Sequence, residues 1–346
     1  MLNQQMAALG NNRSTIRELF EYGNQRAAVV GRENVFDFSL GNPNVPAPDA
    51  VREAILAEAV GDPVALHGYT SAQGAADARK ALADDLNRRF GTAYTGDNLY
   101  LTAGAAAALS CAFKAIACPG DEFVVLAPYF PEYLMFIESG AGAKAVIVPP
   151  SITDFQIDFV ALEQALNEHT KAVVVNSPNN PSGAVYSEQT VQQLAALLRE
   201  KEKQYGHPIY LVSDEPYREI VYDGVQVPFV PTYYDDTIVC YSYSKSLSLP
   251  GERIGYVLVP SQAADSADLY AAVCGAGRAL GYVCAPSMFQ RVAARCVGQT
   301  SDISVYQTNR DLLYQGLTSM GYTCVKPAGA FYLFPQTLEP DDRAFC

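Results

Sequence analysis

The stretch SYSKSLSLPGERIGY, residues 242–256, decides how the rest of the chain is read. It sets one lysine, Lys245, among serines, with an arginine, Arg253, eight residues on. The run leading into it, TIVCYSY (237–243), is β-branched and aromatic and reads as a buried strand. A lysine at such a strand end is most often an ordinary surface residue. Its meaning therefore turns on what the neighbouring strand ends carry.

Working outward, seven segments read as strands: NLYLTAG (98–104), EFVVLAPYF (122–130), KAVIVPP (144–150), KAVVVNSP (171–178), IYLVSDEPY (209–217), TIVCYSYSK (237–245) and RIGYVLVP (253–260). Helical stretches such as AAALSCAFKAIA and SEQTVQQLAALLREKEKQY separate most of them. Near-continuous apolar strands alternating with helices predict an α/β fold with a mostly parallel sheet covered on both faces. Upstream, Thr15-Ile-Arg-Glu18 resembles a capping box opening a helix, and VFDFSL (35–40) predicts a short strand ending at Gly41-Asn-Pro43. Beyond residue 285 the pattern is helix (SMFQRVAARCVG), helix (VYQTNRDLLYQGLTSMGY) and strand (AGAFYLF), which suits a smaller domain. The glycines of Cys274–Gly281 suggest a dinucleotide loop. However, the preceding SADLYAAV is helical rather than β, and the glycine spacing is off by one.

In an open α/β sheet, ligands sit beyond the carboxyl ends of the strands. Those ends carry Gly104-Ala105-Ala106 opening a helix, Pro128-Tyr129-Phe130, the Asn176–Gly183 turn with Asn180, then Asp214-Glu215 and Tyr217, then Ser242, Ser244 and Lys245. Together they make a site for a planar, phosphorylated, carbonyl-bearing cofactor. Amides at 104–106 would hold a phosphate at the positive end of a helix, with Arg253 and Ser242 adding charged and hydroxyl contacts. Phe130 would stack on an aromatic ring. Asp214 would keep a pyridine nitrogen protonated, making the ring an electron sink. Asn180 and Tyr217 would hydrogen-bond a ring oxygen. Lys245 would form a Schiff base with the aldehyde and then move the substrate's α-proton. Taken singly, Phe130 and Tyr133 fit a core role equally well, and the Asn180–Gly183 segment is also a good turn.

Composition narrows the field. The chain has 346 residues, 49% of them hydrophobic, enough for a large core and more than one domain. A net charge of −13 argues against nucleic acid or an anionic membrane as partner. No secretory signal or membrane-spanning run is visible. Eight scattered cysteines without a C-x-x-C pair read as reduced thiols in a cytoplasmic protein. The three histidines show no metal-ligand spacing, and no metal site is expected.

These residues resemble the pyridoxal-phosphate enzymes of fold type I, in the class I and II aminotransferase group. The matching motifs are Leu40-Gly41-Asn-Pro43, Tyr69-Thr70 with Gly74, the Gly104 turn, N-S-P-N-N-P-S-G, S-D-E-P-Y, S-Y-S-K with G-E-R-I-G, and P-A-G-A-F-Y. They occur in the family's order over nearly the whole chain. The resemblance implies pyridoxal 5'-phosphate as cofactor, and an L-amino acid and a 2-oxo acid as substrates. It implies a homodimer in which Tyr69 reaches the neighbouring subunit's phosphate, and Gly41 and Asn180 contact the substrate. A large cofactor domain (46–285) would be flanked by a small domain made from both ends (1–45 and 286–346).

Three departures stand out. The phosphate turn carries Ala105 and Ala106 where the family commonly has a hydroxyl residue, and Ala106 where aspartate-specific relatives place a lysine. Arg278 falls near where some relatives present an arginine to a dicarboxylic substrate, although an exposed helix-end arginine is the plainer reading. The chain also stops at Cys346, before the family's carboxylate-binding arginine, so it is expected to be truncated. A C–S β-lyase or a cyclopropane-forming synthase uses the same cofactor groups and is the alternative reaction, and a cofactor-binding protein with impaired turnover, for want of that C-terminal end, is the other alternative.

Overall fold

The structure, a computed structural model, describes residues 2–11 and 15–345. It divides into two compact units, residues 1–44 and 45–346.

The first unit is helical, with Gln4–Asn11 and Thr15–Val30. The Thr15 side chain, and with it the expected capping box, lies outside the described residues. The strand expected over 35–40 does not form. Asp37 instead accepts hydrogen bonds from the Ser39 amide (2.9 Å) and hydroxyl (2.6 Å), closing a local turn. A short aspartate side chain competes with ladder pairing in this way, and this unit has no strand among its described residues to pair with.

The second unit holds all seven expected strands: β1 (Leu99–Thr102), β2 (Glu122–Leu126), β3 (Lys144–Val148), β4 (Thr170–Asn176), β5 (Tyr210–Asp214), β6 (Thr237–Ser242) and β7 (Gly255–Leu258). They form one sheet in the order β1-β7-β6-β5-β4-β2-β3. β7 runs antiparallel to both its neighbours, and every other pairing is parallel.

The apolar runs divide between the two faces with the strand period of two. Val174, Val212, Ile238 and Cys240 pack under the helices Gly104–Ile116 and Ser266–Ala279. Val173, Val175 and Leu211 face the helix Glu188–Tyr205. Farther along that face, Leu99, Leu101, Val239 and Leu258 meet the helices Ala76–Phe90 and Ser287–Arg295. Burial of each such side chain contributes roughly 1.5–3 kcal/mol. Local chemistry fixes the helix ends: Ser187 caps Glu188–Tyr205 by accepting from the Thr190 amide, and Gly206 closes it at φ 78°.

The expected strand AGAFYLF is replaced by two isolated bridges, Val221 with Gly329 and Cys324 with Pro335. Its backbone is taken up elsewhere. Ala328 and Gly329 donate to the Gly183 carbonyl (2.9 and 3.0 Å), and Ala330 donates to that of Ile220 (2.9 Å). Two motifs distant in sequence are thereby docked on each other.

Candidate active site

Register brings the strand ends together. Asn176 pairs with Asp214, and Asp214 with Cys240, two residues before Ser242. Because β7 is antiparallel, its first residue Gly255 lies on the same edge, opposite both Ser242 and Thr102. Thr102 leads into the helix Gly104–Ile116, which has no side-chain cap at its N-terminus.

One corner of this edge is an anion cradle. Ser242 and Ser244 hydroxyls lie 2.6 Å apart, and the Ser244 amide donates to Ser242 Oγ at 3.1 Å. Arg253 donates through Nη1 to Ser244 Oγ (3.3 Å) and through Nη2 to the Ala103 carbonyl (3.3 Å), so its guanidinium stands at the helix start. Gly104 has φ +81°, and a Cβ there would lie 2.5 Å from Arg253 Nη2. A Cβ on Gly255 would collide with the Tyr241 carbonyl and come within 3.1 Å of Gly104 Cα. The two glycines thus let β7 and the helix close up beneath the cradle.

A second corner carries a carboxylate. Asp214 is 5% exposed. Its Oδ2 accepts from the Tyr133 hydroxyl at 2.5 Å, whereas its Oδ1 is buried without a hydrogen-bond partner. Burial pushes its carboxyl from 3.8 up to about 7, against the opposing pull of the Tyr133 hydrogen bond. A buried, unpartnered carboxylate oxygen calls for a cationic N–H donor.

Lys245 follows Ser244 in the one-turn helix Tyr243–Ser246 that follows β6. Its Nζ is 5.4 Å from the centroid of the Phe331 ring and 5.9 Å from that of Tyr217. Burial, and secondarily the charge of Arg253, lowers its ammonium from 10.5 to about 8. An amine so placed is partly neutral near physiological pH and can act as nucleophile or base. Beside it, Tyr217 Oη and Tyr332 Oη lie 2.6 Å apart. Asn180 is held by its amide, which donates to Asn176 Oδ1 (2.7 Å). Phe130 is half-buried and meets Tyr133 edge-on, with ring centroids 5.7 Å apart.

The edge thus gathers Gly104, Ala105 and Ala106 with Ser242, Ser244 and Arg253, and Asp214, Tyr217, Asn180 and Lys245 beside them. Three other expected residues lie on other segments of the chain. Tyr69 is 91% exposed. Arg278 is exposed in the last turn of Ser266–Ala279. Gly41 belongs to the unit of residues 1–44. Sequence reasoning missed Tyr332 and Phe331 as site residues, although the P-A-G-A-F-Y motif contains both. It left Tyr133 open, yet a tyrosine three residues after Phe130 on a helical turn shares its face.

Behind the edge, Arg218 and Glu215 form a fully buried ion pair. Glu215 also accepts from Ser213 Oγ (2.7 Å), and the guanidinium lies over the rings of Tyr241, Phe229 and Phe90.

Hydroxyl, amide and guanidinium donors, an orphan carboxylate oxygen, an aromatic ring and a depressed lysine could together hold one group, a phosphorylated pyridine aldehyde. Such a sheet and edge define a pyridoxal-phosphate-dependent enzyme of fold type I. The profile of the family "Aminotransferase class I and II" matches residues 33–346, and the chain belongs to that family. It is 33% identical over 313 residues to a probable N-acetyl-LL-diaminopimelate aminotransferase of Bacillus subtilis, covering 89% of this chain and 75% of the relative. It is 31% identical over 335 residues to an aspartate/prephenate aminotransferase of Thermus thermophilus, covering 92% and 82%. Among solved structures, an amino transferase from Eubacterium rectale superposes with a TM-score of 0.98 at 60% identity, covering all of this chain and 87% of the other. The chain is a transaminase, and its cofactor is pyridoxal 5'-phosphate. Its substrates are amino acids and 2-oxo acids. Among the described residues no helix is long and apolar enough to cross a membrane.

Proposed function

We propose that Lys245 is the residue that holds the cofactor covalently and carries the proton in transamination. We further propose that the strand-end groups divide the remaining work as the sequence suggested. The observation that supports this best is the pairing of a lysine lowered to about 8 with a buried aspartate that leaves Oδ1 unpartnered.

The cofactor, when bound, supplies an aldehyde and a ring that withdraws electrons from the substrate's Cα. The amides of residues 104–106, Ser242, Ser244 and Arg253 would bind its phosphate. Asp214 would hold a proton on its ring nitrogen, and Tyr133 fixes which carboxylate oxygen faces the ring. Asn180 and Tyr217 would bind its ring oxygen, and Phe130 would stack on its face. Lys245 Nζ would move the proton between the amino acid's Cα and the cofactor's aldehyde carbon. Gly41, Asn180 and Arg278 are proposed as substrate contacts. A homodimer is proposed, with Tyr69 serving the neighbouring subunit; its near-complete exposure in the single chain suits that role. Residues 46–285 would form the cofactor domain and residues 1–45 with 286–346 the smaller one. The described cysteines are all free, in keeping with a cytoplasmic protein.

The function is tested with a panel of L-amino acids and 2-oxoglutarate. Formation of glutamate and the matching oxo acid, with no release of pyruvate and ammonia from cystathionine, is the expected result. Oxo-acid-independent release would assign the lyase reaction instead.

The cradle carries its own prediction. Gly104→Ala adds a Cβ at positive φ and drives the Arg253 guanidinium from the helix start. It is expected to weaken pyridoxal-phosphate binding about tenfold and to destabilise the cofactor-free protein by roughly 1–2 kcal/mol. Fluorescence titration and thermal melting read the two effects. Unchanged affinity would remove Arg253 from phosphate binding.

A further inference from the structure

We propose that Tyr332 is a positioning residue that acts on the cofactor through Tyr217, the two phenols forming a directed two-hydroxyl relay. This rests on the reading of Tyr217 as the donor to the cofactor's ring oxygen.

The geometry carries the proposal. The two hydroxyl oxygens lie 2.6 Å apart, so one phenol donates to the other. Each phenol has a single proton. If Tyr217 spent its proton on Tyr332, it would have none for an oxygen presented by the cofactor. If Tyr332 donates instead, Tyr217 keeps its proton for the ring oxygen, and the donation it receives makes it a stronger donor. An acceptor arriving at Tyr217 therefore selects the direction from Tyr332 to Tyr217 to the ring oxygen.

The position of Tyr332 is well determined. Its segment is pinned by the Gly183 and Ile220 carbonyls, and a Cβ on Gly183 would come within 3.1 Å of the Tyr332 carbonyl. Arg310 clamps the approach to it by donating to the Pro327 carbonyl (2.7 Å) and to both oxygens of Asp223 (3.1 and 3.0 Å). Phe331, one residue earlier, stacks on the buried Tyr306 at 5.2 Å. The Tyr332 ring also meets Tyr217 edge-on, with centroids 5.6 Å apart, so the two rings constrain each other independently of the hydroxyls.

The test is the pH midpoint of the bound cofactor's visible absorbance, measured on the loaded enzyme without substrate. A donor to the ring oxygen stabilises its anionic form and lowers that midpoint. Tyr332→Phe keeps the ring packing and removes the hydroxyl. It is expected to raise the midpoint by about 0.3–0.5 of a pH unit. The same change in a Tyr217→Phe background is expected to have no effect, because the intermediary is gone. Replacing Tyr332 by a fluorinated tyrosine, a stronger donor of the same shape, is expected to shift the midpoint the other way. A midpoint indifferent to position 332, or shifted equally in the Tyr217→Phe background, overturns the relay. A wild-type protein with no such band overturns the reading of Tyr217 and Lys245 on which the relay rests.

Discussion

Alanine at position 245 is expected to abolish transamination, lowering kcat by roughly 10⁴-fold or more. Two functions would be lost together. On the proposed role, the residue would supply the nitrogen that captures the aldehyde, and the same nitrogen would then carry the proton. The structure favours both by leaving the amine half-buried near the Phe331 and Tyr217 rings, with its ammonium lowered to about 8. The sign matters here. A lowered lysine is neutral above about 8, so attachment of pyridoxal phosphate to the cofactor-free wild type should accelerate as pH rises through that value. In Lys245→Ala the covalent step should be missing at every pH. Ser242, Ser244 and Arg253 meet one another and the helix start without the lysine, so reversible, phosphate-dependent binding should remain. The check is stopped-flow absorbance on both proteins, followed by borohydride fixation and peptide mass analysis. A fixed adduct on any other residue, or turnover by the variant, would dismiss the assignment.

The parts of this molecule that could be read from sequence were those written in local pattern. The seven strands are β-branched runs that end at chemistry-bearing residues, so their existence and their shared edge follow from period and composition. The antiparallel β7 was less visible, since direction depends on how the short loop 246–254 turns the chain back. The two failed strands have one cause. VFDFSL and AGAFYLF have the right alternation, but whether a strand forms depends on a partner backbone supplied by the rest of the fold. Asp37 and Gly183 supply other bonds instead. Site residues followed the same rule. Lys245, Asp214 and Arg253 declare themselves as charges at the ends of buried strands. Tyr133 and Tyr332 do not, because a tyrosine inside an apolar stretch looks like core until its hydroxyl is seen at 2.5 Å from Asp214 or 2.6 Å from Tyr217.

Asp214→Asn is expected to reduce kcat on the order of 10³-fold while making the cofactor-free protein more stable, a combination that separates its chemical role from a structural one. In the folded chain the carboxyl titrates near 7 instead of 3.8, chiefly through burial. The folded state therefore holds this proton more tightly than the unfolded state. Below about 4 both states are protonated and there is no penalty. Between about 4 and 7 the unfolded state ionises while the folded one keeps its proton, so a penalty builds up that levels off above 7 at up to about 4 kcal/mol, the cost of the buried charge. Asparagine carries no charge at any pH. Cofactor-free Asp214→Asn should thus melt above wild type at pH 8, with the difference narrowing as pH falls toward 5. Loading the cofactor should reverse the order. On the proposed role, a protonated ring nitrogen would give Oδ1 the donor it lacks, so wild type should gain more in Tm on binding pyridoxal phosphate than the variant does. Tyr133 sharpens the test. Its hydroxyl already satisfies Oδ2, leaving a single oxygen for the ring, and an asparagine amide placed there would present N–H toward N–H. Differential scanning calorimetry of both proteins, with and without cofactor at pH 5 and 8, reads all four states. Equal melting of the two cofactor-free proteins at pH 8 would show that Asp214 is not held as a strained, buried anion, and its role as the partner of the ring nitrogen would fall with it.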